Sequence, residues 1–211
     1  MDELRWLAER YAKVERQLRK VSRIGDLLQD LLRESSRDFE HASLTDPLTE
    51  LPNRRAMQGY LQAEANRAER EGGSMAIAIG DVDHFKQIND QQGHQAGDTA
   101  LRLLASWLQS ELRDYDQCGR WGGEEFLLLF PGLEEAQAGE VVERIRSHTA
   151  QAAFPWHDTS ITLTISFGIA ALSAGETVDE LVVRADNALY AAKRAGRNRV
   201  VPWSLSAESE T

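Results

Sequence analysis

The stretch Arg120-Trp121-Gly122-Gly123-Glu124-Glu125-Phe126 sets two glycines and two adjacent carboxylates hard against the apolar run Phe126 to Phe130. A run of that kind reads as a buried strand and the glycine pair before it as a tight turn. Carboxylates at the mouth of such a turn serve either a hydrogen bond or a metal. A second polar segment follows the apolar run Met75 to Gly80 and contains Asp81, Lys86, Asn89, His94 and Asp98. Asp81 stands where a buried strand ends, so backbone fixes it while its head stays accessible. If the Phe126 strand lies beside the Met75 strand, Asp81 and Glu124 converge. Two hard oxygen ligands facing a cleft then make a magnesium site with room for waters and substrate phosphates; the other reading is that both cap turns. Lys86 is either a point charge for a phosphate or a surface lysine. Asn89 and Asp98 offer an amide and a carboxylate, and a carboxylate can accept both the N1–H and the 2-amino group of guanine, a donor pair adenine lacks. Taken singly, both are common as turn and N-cap residues.

These residues need elements to hold them. Asn53 is placed to cap a helix through about Glu71, ended by Gly72-Gly73. A strand at 75–80, a polar loop at 81–94, a helix at about 97–113, a strand up to Trp121, the glycine turn and a strand at 125–130 follow. A helix at about 134–150, a long alternating strand at 161–171, a helix at about 178–195 and a short strand near 198–202 complete the series. Hairpin and crossover elements mixed in one small sheet predict a ferredoxin-like α/β layer, a central mixed sheet flanked by helices.

Upstream, Leu4, Leu7, Tyr11, Val14, Leu18, Val21, Gly25, Leu28, Leu32, Ser35 and Phe39 follow a 3,4 alternation through five heptads. This is a coiled-coil seam, and a helix over it would be about 54 Å long. Its stripe needs a partner helix from a second copy or from another protein, or else it lies on its own globular domain. Ile24, Leu27 and Leu31 widen the apolar face. The expected organisation is a helical stalk at 1–43, a globular domain at 44–203 and a polar tail at 204–211.

The net charge is −10. Residues 1–40 balance nine basic against nine acidic side chains, so the whole deficit lies downstream. An acidic globular part argues against binding DNA by phosphate neutralisation, yet it admits a nucleotide whose phosphates arrive with a cation. No apolar run approaches bilayer length and no signal-peptide core is present, so no membrane association and a cytoplasmic location are expected. The single cysteine, Cys118, reads as a small buried hydrophobe.

Asp81-Val82-Asp83-His84-Phe85-Lys86 with Asn89-Asp90, then Gly93-His94 and Gly97-Asp98, then Gly122-Gly123-Glu124-Glu125-Phe126, resembles the GGDEF-domain diguanylate cyclases. Thr45-Asp46-Pro47-Leu48-Thr49 with Leu51 and Asn53-Arg54-Arg55 resembles that family's opening motif, and Ala192-Lys193 with Gly196-Arg197-Asn198 its closing one. The likeness spans residues 44 to about 201 and implies a palm-type GGDEF domain; the long N-terminal helix read from the heptads lies outside it.

The resemblance implies that two GTP molecules are joined into cyclic di-GMP at a homodimer interface, one half-site per copy. It makes Asp81, Glu124 and the Val82 carbonyl holders of magnesium, with manganese as an alternative, at two ions per half-site. Glu125 is a further ligand, and Glu124 also activates the 3′-hydroxyl. Lys86, Lys193 and Arg197 would bind the triphosphate and stabilise its departing charge. Asn89 and Asp98 would hold guanine, with His94 and Phe85 near the nucleotide and Gly122 and Gly123 leaving room for it. Arg113-Asp114-Tyr115-Asp116 stands where the family carries an inhibitory site for cyclic di-GMP, built on Arg113 and Asp116; the other reading is a helix-end ion pair. The stalk would regulate by dimerisation or by capturing another protein.

Overall fold

The computed structural model describes residues 44–207; the heptads read at 1–43 and the last four residues of the expected tail lie outside them. Helix α1 (Arg54–Glu71) begins where the Asn53 side chain accepts the Ala56 N–H at 3.1 Å. It ends at Gly72, whose φ of 69° lets its N–H turn back to the Ala68 carbonyl. Strand β1 (Met75–Val82) is buried along its whole length. Helices α2 (Phe85–Gln92) and α3 (His94–Glu111) lead to the hairpin of β2 (Gln117–Arg120) and β3 (Glu125–Pro131). Helix α4 (Glu135–Gln151), a small hairpin of β4 (Phe154–Trp156) and β5 (Thr159–Ile161), and strand β6 (Ile165–Ala171) follow. Helix α5 (Val178–Arg194), strand β7 (Val200–Pro202) and the short helix α6 (Trp203–Ala207) close the series.

The main sheet runs β2-β3-β1-β6-β7, with β1 antiparallel to both neighbours and β7 parallel to β6. Without β7 this is the β-α-β-β-α-β arrangement expected from the sequence. Side-chain alternation along β1 divides the interior in two. Met75, Ile77 and Ile79 meet Leu127 and Leu129 under α1 and α5. Ala76, Ala78 and Val82 meet Phe126, Leu128 and Phe130 under α3 and α4. Burying each phenylalanine contributes about 1.5–3 kcal/mol, so the central strands are the most firmly held part of the fold. Helix α5 sits on the sheet at Gly168, where a Cβ would run into the backbone of Ala185 and Leu189.

Three expectations needed adjusting. The stretch 81–94 is not a loop: it holds α2, with α3 starting at His94 after Gly93 at φ 86°. Within α2 only Phe85 is buried and Ile88 half-buried, a stripe too short to register as helical periodicity. The strand expected at 161–171 is broken at 162–164, because the Thr164 carbonyl and hydroxyl are both taken by Asp83. The β4–β5 hairpin, turning at His157 with φ 48°, was not foreseen.

Candidate active site

Antiparallel pairing brings the C-terminal end of β1 beside the N-terminal ends of β3 and β6. Asp81 stands opposite both Glu125 and Ser166, and the Val82 N–H donates to the Glu124 carbonyl at 3.2 Å. An open cleft of about 200 Å³ forms there, lined by Asp81, Val82 and Glu124 with Lys86, Lys193 and Arg197. The two carboxylates singled out in the sequence therefore do meet.

Asp81 is 8% exposed, and Lys193, arriving from the last turn of α5, places its ammonium 2.8 Å from Oδ2. Burial nonetheless pushes Asp81 above the ordinary aspartate range, with Asp83 adding to it and Lys193 opposing. Glu124 is also raised, by burial first and then by Asp81, while Lys193 again opposes. Glu125 is raised by burial, Asp81 and Asp186, against Lys193 and Arg54. Asp81, Glu124 and Glu125 stay raised although Lys193, Arg197 and Arg54 oppose the shift, and a divalent cation bound among them would relieve that repulsion. Among the described residues no group of three or more His, Cys, Asp or Glu converges as a metal cage. Two carboxylates and the Val82 carbonyl at an open cleft instead suit magnesium, which keeps several waters and takes its remaining oxygens from phosphates.

The signature turn is held from two sides. The Trp121 and Gly122 N–H groups donate to the Glu125 carbonyl, and a Cβ on Gly122 would overlap the Glu125 carboxylate, 3.3 Å from its Cδ. Gly122 thus makes room for Glu125, whereas Gly123 opens to free space. Arg120 donates from Nε and Nη2 to the Gly123 carbonyl and from Nη1 to both oxygens of Asp46. Asp46 also accepts from the Leu48 and Thr49 N–H groups and the Thr49 hydroxyl. Burial raises Asp46, but the Thr49 hydrogen bonds and Arg120 outweigh it and hold the carboxyl below its usual range.

Lys86 and Arg197 line the cleft with no ion pair or side-chain hydrogen bond. Asn89 presses its side chain against Gly97 at the start of α3, one residue before the exposed Asp98. Asp98 lies inside α3 rather than at its cap, which is Gly93, so the capping alternative does not describe it. His94 is exposed as the first residue of α3, and Phe85 is buried with its ring beside Gly97. Cys118 is buried, which pushes its thiol far up and leaves it inert.

Away from the cleft, Asp116 is 7% exposed and its Oδ2 accepts the Arg113 backbone N–H at 3.2 Å. The Arg113 guanidinium goes instead to the Tyr115 hydroxyl at 3.0 Å, so the two side chains are not the helix-end ion pair of the alternative reading. Asp116 Oδ1 is buried without a hydrogen-bond partner, and burial raises the carboxyl against the pull of Arg113.

Sequence reasoning missed Asp46, Asp83, Arg120 and Arg54, which stacks 4.6 Å over the Trp121 ring beside the turn. Asp46-Pro47-x-Thr49 carried a usable signal, since an aspartate followed three residues later by threonine favours a side-chain-capped turn. Nothing in spacing alone ties Asp46 to Arg120, 74 residues away.

The family profile described as "Diguanylate cyclase, GGDEF domain" matches residues 43–199. Diguanylate cyclase DgcP of Pseudomonas aeruginosa is 41% identical over 182 residues, 85% of this chain and 27% of that protein. The chain spans 27–40% of the length of the curated relatives DgcP and DosC. Among solved structures, diguanylate cyclase SiaD in complex with its activator SiaC, from Pseudomonas aeruginosa, is 46% identical with a TM-score of 0.73, covering 93% of this chain and 75% of that one. The coiled coil and GGDEF domain of DgcB from Caulobacter crescentus, in complex with c-di-GMP, is 34% identical with a TM-score of 0.73, covering 86% and 97%. No helix among the described residues is long and apolar enough to cross a membrane.

Proposed function

The chain belongs to the GGDEF-domain diguanylate cyclase family, and from that premise we propose that it condenses two GTP molecules into cyclic di-GMP with release of two pyrophosphates. The observation that carries this reading is the meeting of Asp81 and Glu124 across β1 and β3, in a cleft that also presents Lys86, Lys193 and Arg197.

In each half-reaction the 3′-oxygen of one GTP bonds to the α-phosphorus of the other, the bond from that phosphorus to the bridging oxygen breaks, and pyrophosphate leaves. Glu124, at the mouth of the glycine turn, accepts the hydroxyl proton. Asp81, Glu124 and the Val82 carbonyl would hold magnesium or manganese, two ions per half-site, with Glu125 beside them. Such ions lower the hydroxyl pKa and neutralise charge developing on the phosphates. Lys86, Lys193 and Arg197 bind the triphosphate and stabilise the leaving pyrophosphate. Asn89 and Asp98 read the guanine edge, with His94 and Phe85 near the nucleotide.

Because each half-site holds one GTP, two copies must face each other, and the catalytic unit is a homodimer. Residues 44–203 are its catalytic domain. The heptads at 1–43 regulate it by dimerisation or by taking a protein partner, a reading supported by the activator bound to SiaD and the coiled coil of DgcB. Product inhibition at Arg113 and Asp116 is supported by their closeness, the Arg113 N–H donating to Asp116 Oδ2, and by the exposed Arg113 side chain, which a ligand can reach. The test is incubation of the chain with GTP and magnesium beside Glu124→Gln, with Arg113→Ala to relieve inhibition, followed by nucleotide chromatography. Cyclic di-GMP from the chain but not from Glu124→Gln is expected. GTP binding without product from either the parent or Arg113→Ala would overturn the cyclase reading.

A further inference from the structure

Asp83 follows Asp81 by two residues, lies 5% exposed at the edge of the cleft, and commits its carboxylate to three hydrogen bonds. Its Oδ1 accepts the Ser166 hydroxyl at 2.7 Å, and its Oδ2 accepts the Thr164 hydroxyl at 2.7 Å and the Asn198 N–H at 3.0 Å. No cation pairs with it among the described residues, so three neutral donors alone compensate a buried carboxylate. Sealing the end of the sheet would require only the two hydroxyls. The third bond reaches across 115 positions to the loop between α5 and β7.

That loop is unusual. Gly196, Arg197 and Asn198 stand at φ 113°, 63° and 44°, so two consecutive non-glycine residues occupy the left-handed region. Such residues persist only where their surroundings over-determine them. Asp83 fixes the Asn198 N–H, Arg146 donates to Asn198 Oδ1 at 2.7 Å, and the Arg197 N–H donates to the Ala192 carbonyl at 3.1 Å. Every fixed point is on the backbone or on Asn198, and the Arg197 side chain is left to line the cleft.

We infer that Asp83 is a positioning residue that holds the 196–198 loop in its left-handed form and thereby aims the Arg197 guanidinium at the nucleotide phosphates. The inference rests on the cyclase reading for its catalytic consequence, and on the loop geometry for the rest. Asp83→Asn keeps the size of the side chain and weakens acceptance at the Asn198 N–H.

The full chain carrying Asp83→Asn, Arg197→Ala, both together, or Asp83→Asn with Asn198→Gly is assayed for kcat and KM with GTP and magnesium. Amide hydrogen exchange is followed over residues 195–199. Losing one charge-assisted hydrogen bond that orients a phosphate contact lowers kcat/KM about tenfold in Asp83→Asn. The same change costs nothing further in Arg197→Ala, because both act through one group. Glycine at 198 takes positive φ freely, so it restores part of the loss, and exchange at 195–199 rises in the variants carrying Asp83→Asn and not in Arg197→Ala. Additive losses, or no recovery with Asn198→Gly, would overturn the inference. If Asp83→Asn does not fold, Thr164→Val with Ser166→Ala decides: these remove both hydroxyls and spare the Asn198 bond, so an unchanged kcat/KM supports the assignment and a tenfold fall refutes it. If the parent makes no cyclic di-GMP the cyclase reading fails, and exchange at 195–199 then settles the positioning role by itself: faster in Asp83→Asn supports it, unchanged refutes it.

Discussion

Gly97→Ala tests how the base is held. Gly97 lies in the first turn of α3, and an added Cβ would fall 3.0 Å from both Asn89 Cγ and Phe85 Cζ while overlapping Asn89 Oδ1. Carbon atoms settle at about 3.5–4.0 Å, so both carbon contacts are about 0.5–1 Å too short, and Asn89, whose Oδ1 the new Cβ would overlap, must move furthest. Phe85 is buried in the core, whereas Asn89 is only half-buried, so Asn89 yields. Alanine gains about 1 kcal/mol of helix propensity over glycine, which offsets much of an overpacking cost of about 1–3 kcal/mol. Tm should therefore change by only a few degrees, about 2–4 °C per kcal/mol. An Asn89 amide displaced from guanine forfeits one hydrogen bond of about 1–1.5 kcal/mol, which raises KM for GTP about tenfold and leaves kcat unchanged. Steady-state kinetics on Gly97→Ala, Asn89→Ala and the double variant check this. An unchanged KM, or a double variant whose loss is the sum of the two, would refute Asn89 as the group through which Gly97 acts.

Two further outcomes follow from the site's charges. The Asp46 carboxyl is held below its ordinary value of 3.8, so its contribution to stability is full above that pH and disappears as pH falls through the lower folded value. Asp46→Asn should accordingly be less stable than the parent at pH 7, with the gap between their melting curves closing progressively below about pH 4; a gap independent of pH would contradict the assignment. Magnesium should raise the melting temperature by binding only the folded site, a stabilisation of about 2.7 kcal/mol at a hundredfold excess over Kd. Glu124→Gln should blunt that gain and a chelator reverse it, measured by thermal shift without any nucleotide.

The strands that matter most were legible because they are extreme: Phe126 to Phe130 and Met75 to Gly80 are apolar on both faces, as a sheet covered on both sides requires. Asn53 and Gly72 bound α1 as their cap chemistry predicts. Helix α2 was hidden because Phe85 and Ile88 are its only apolar anchors, and its stability comes from α3 packed alongside. The convergence of Asp81 and Glu124 followed from two strands whose adjacency was a reasonable guess. Arg120 and Asp83 were quoted in the motifs without roles, since their partners Asp46 and Asn198 are distant in sequence and become neighbours only through the sheet order. Gly122 was read as clearance for a nucleotide, and its immediate neighbour proves to be the Glu125 carboxylate.

The rank order of strand lengths has a consequence for association. The interior strands β1, β3 and β6 have eight, seven and seven residues, while the outermost β2 and β7 have four and three, β7 ending in a proline that has no N–H to offer. Two short borders, one of them ended by a proline, give a foreign strand little to zip onto. Among the described residues, the main sheet therefore has no long open edge on which a second copy could add a strand.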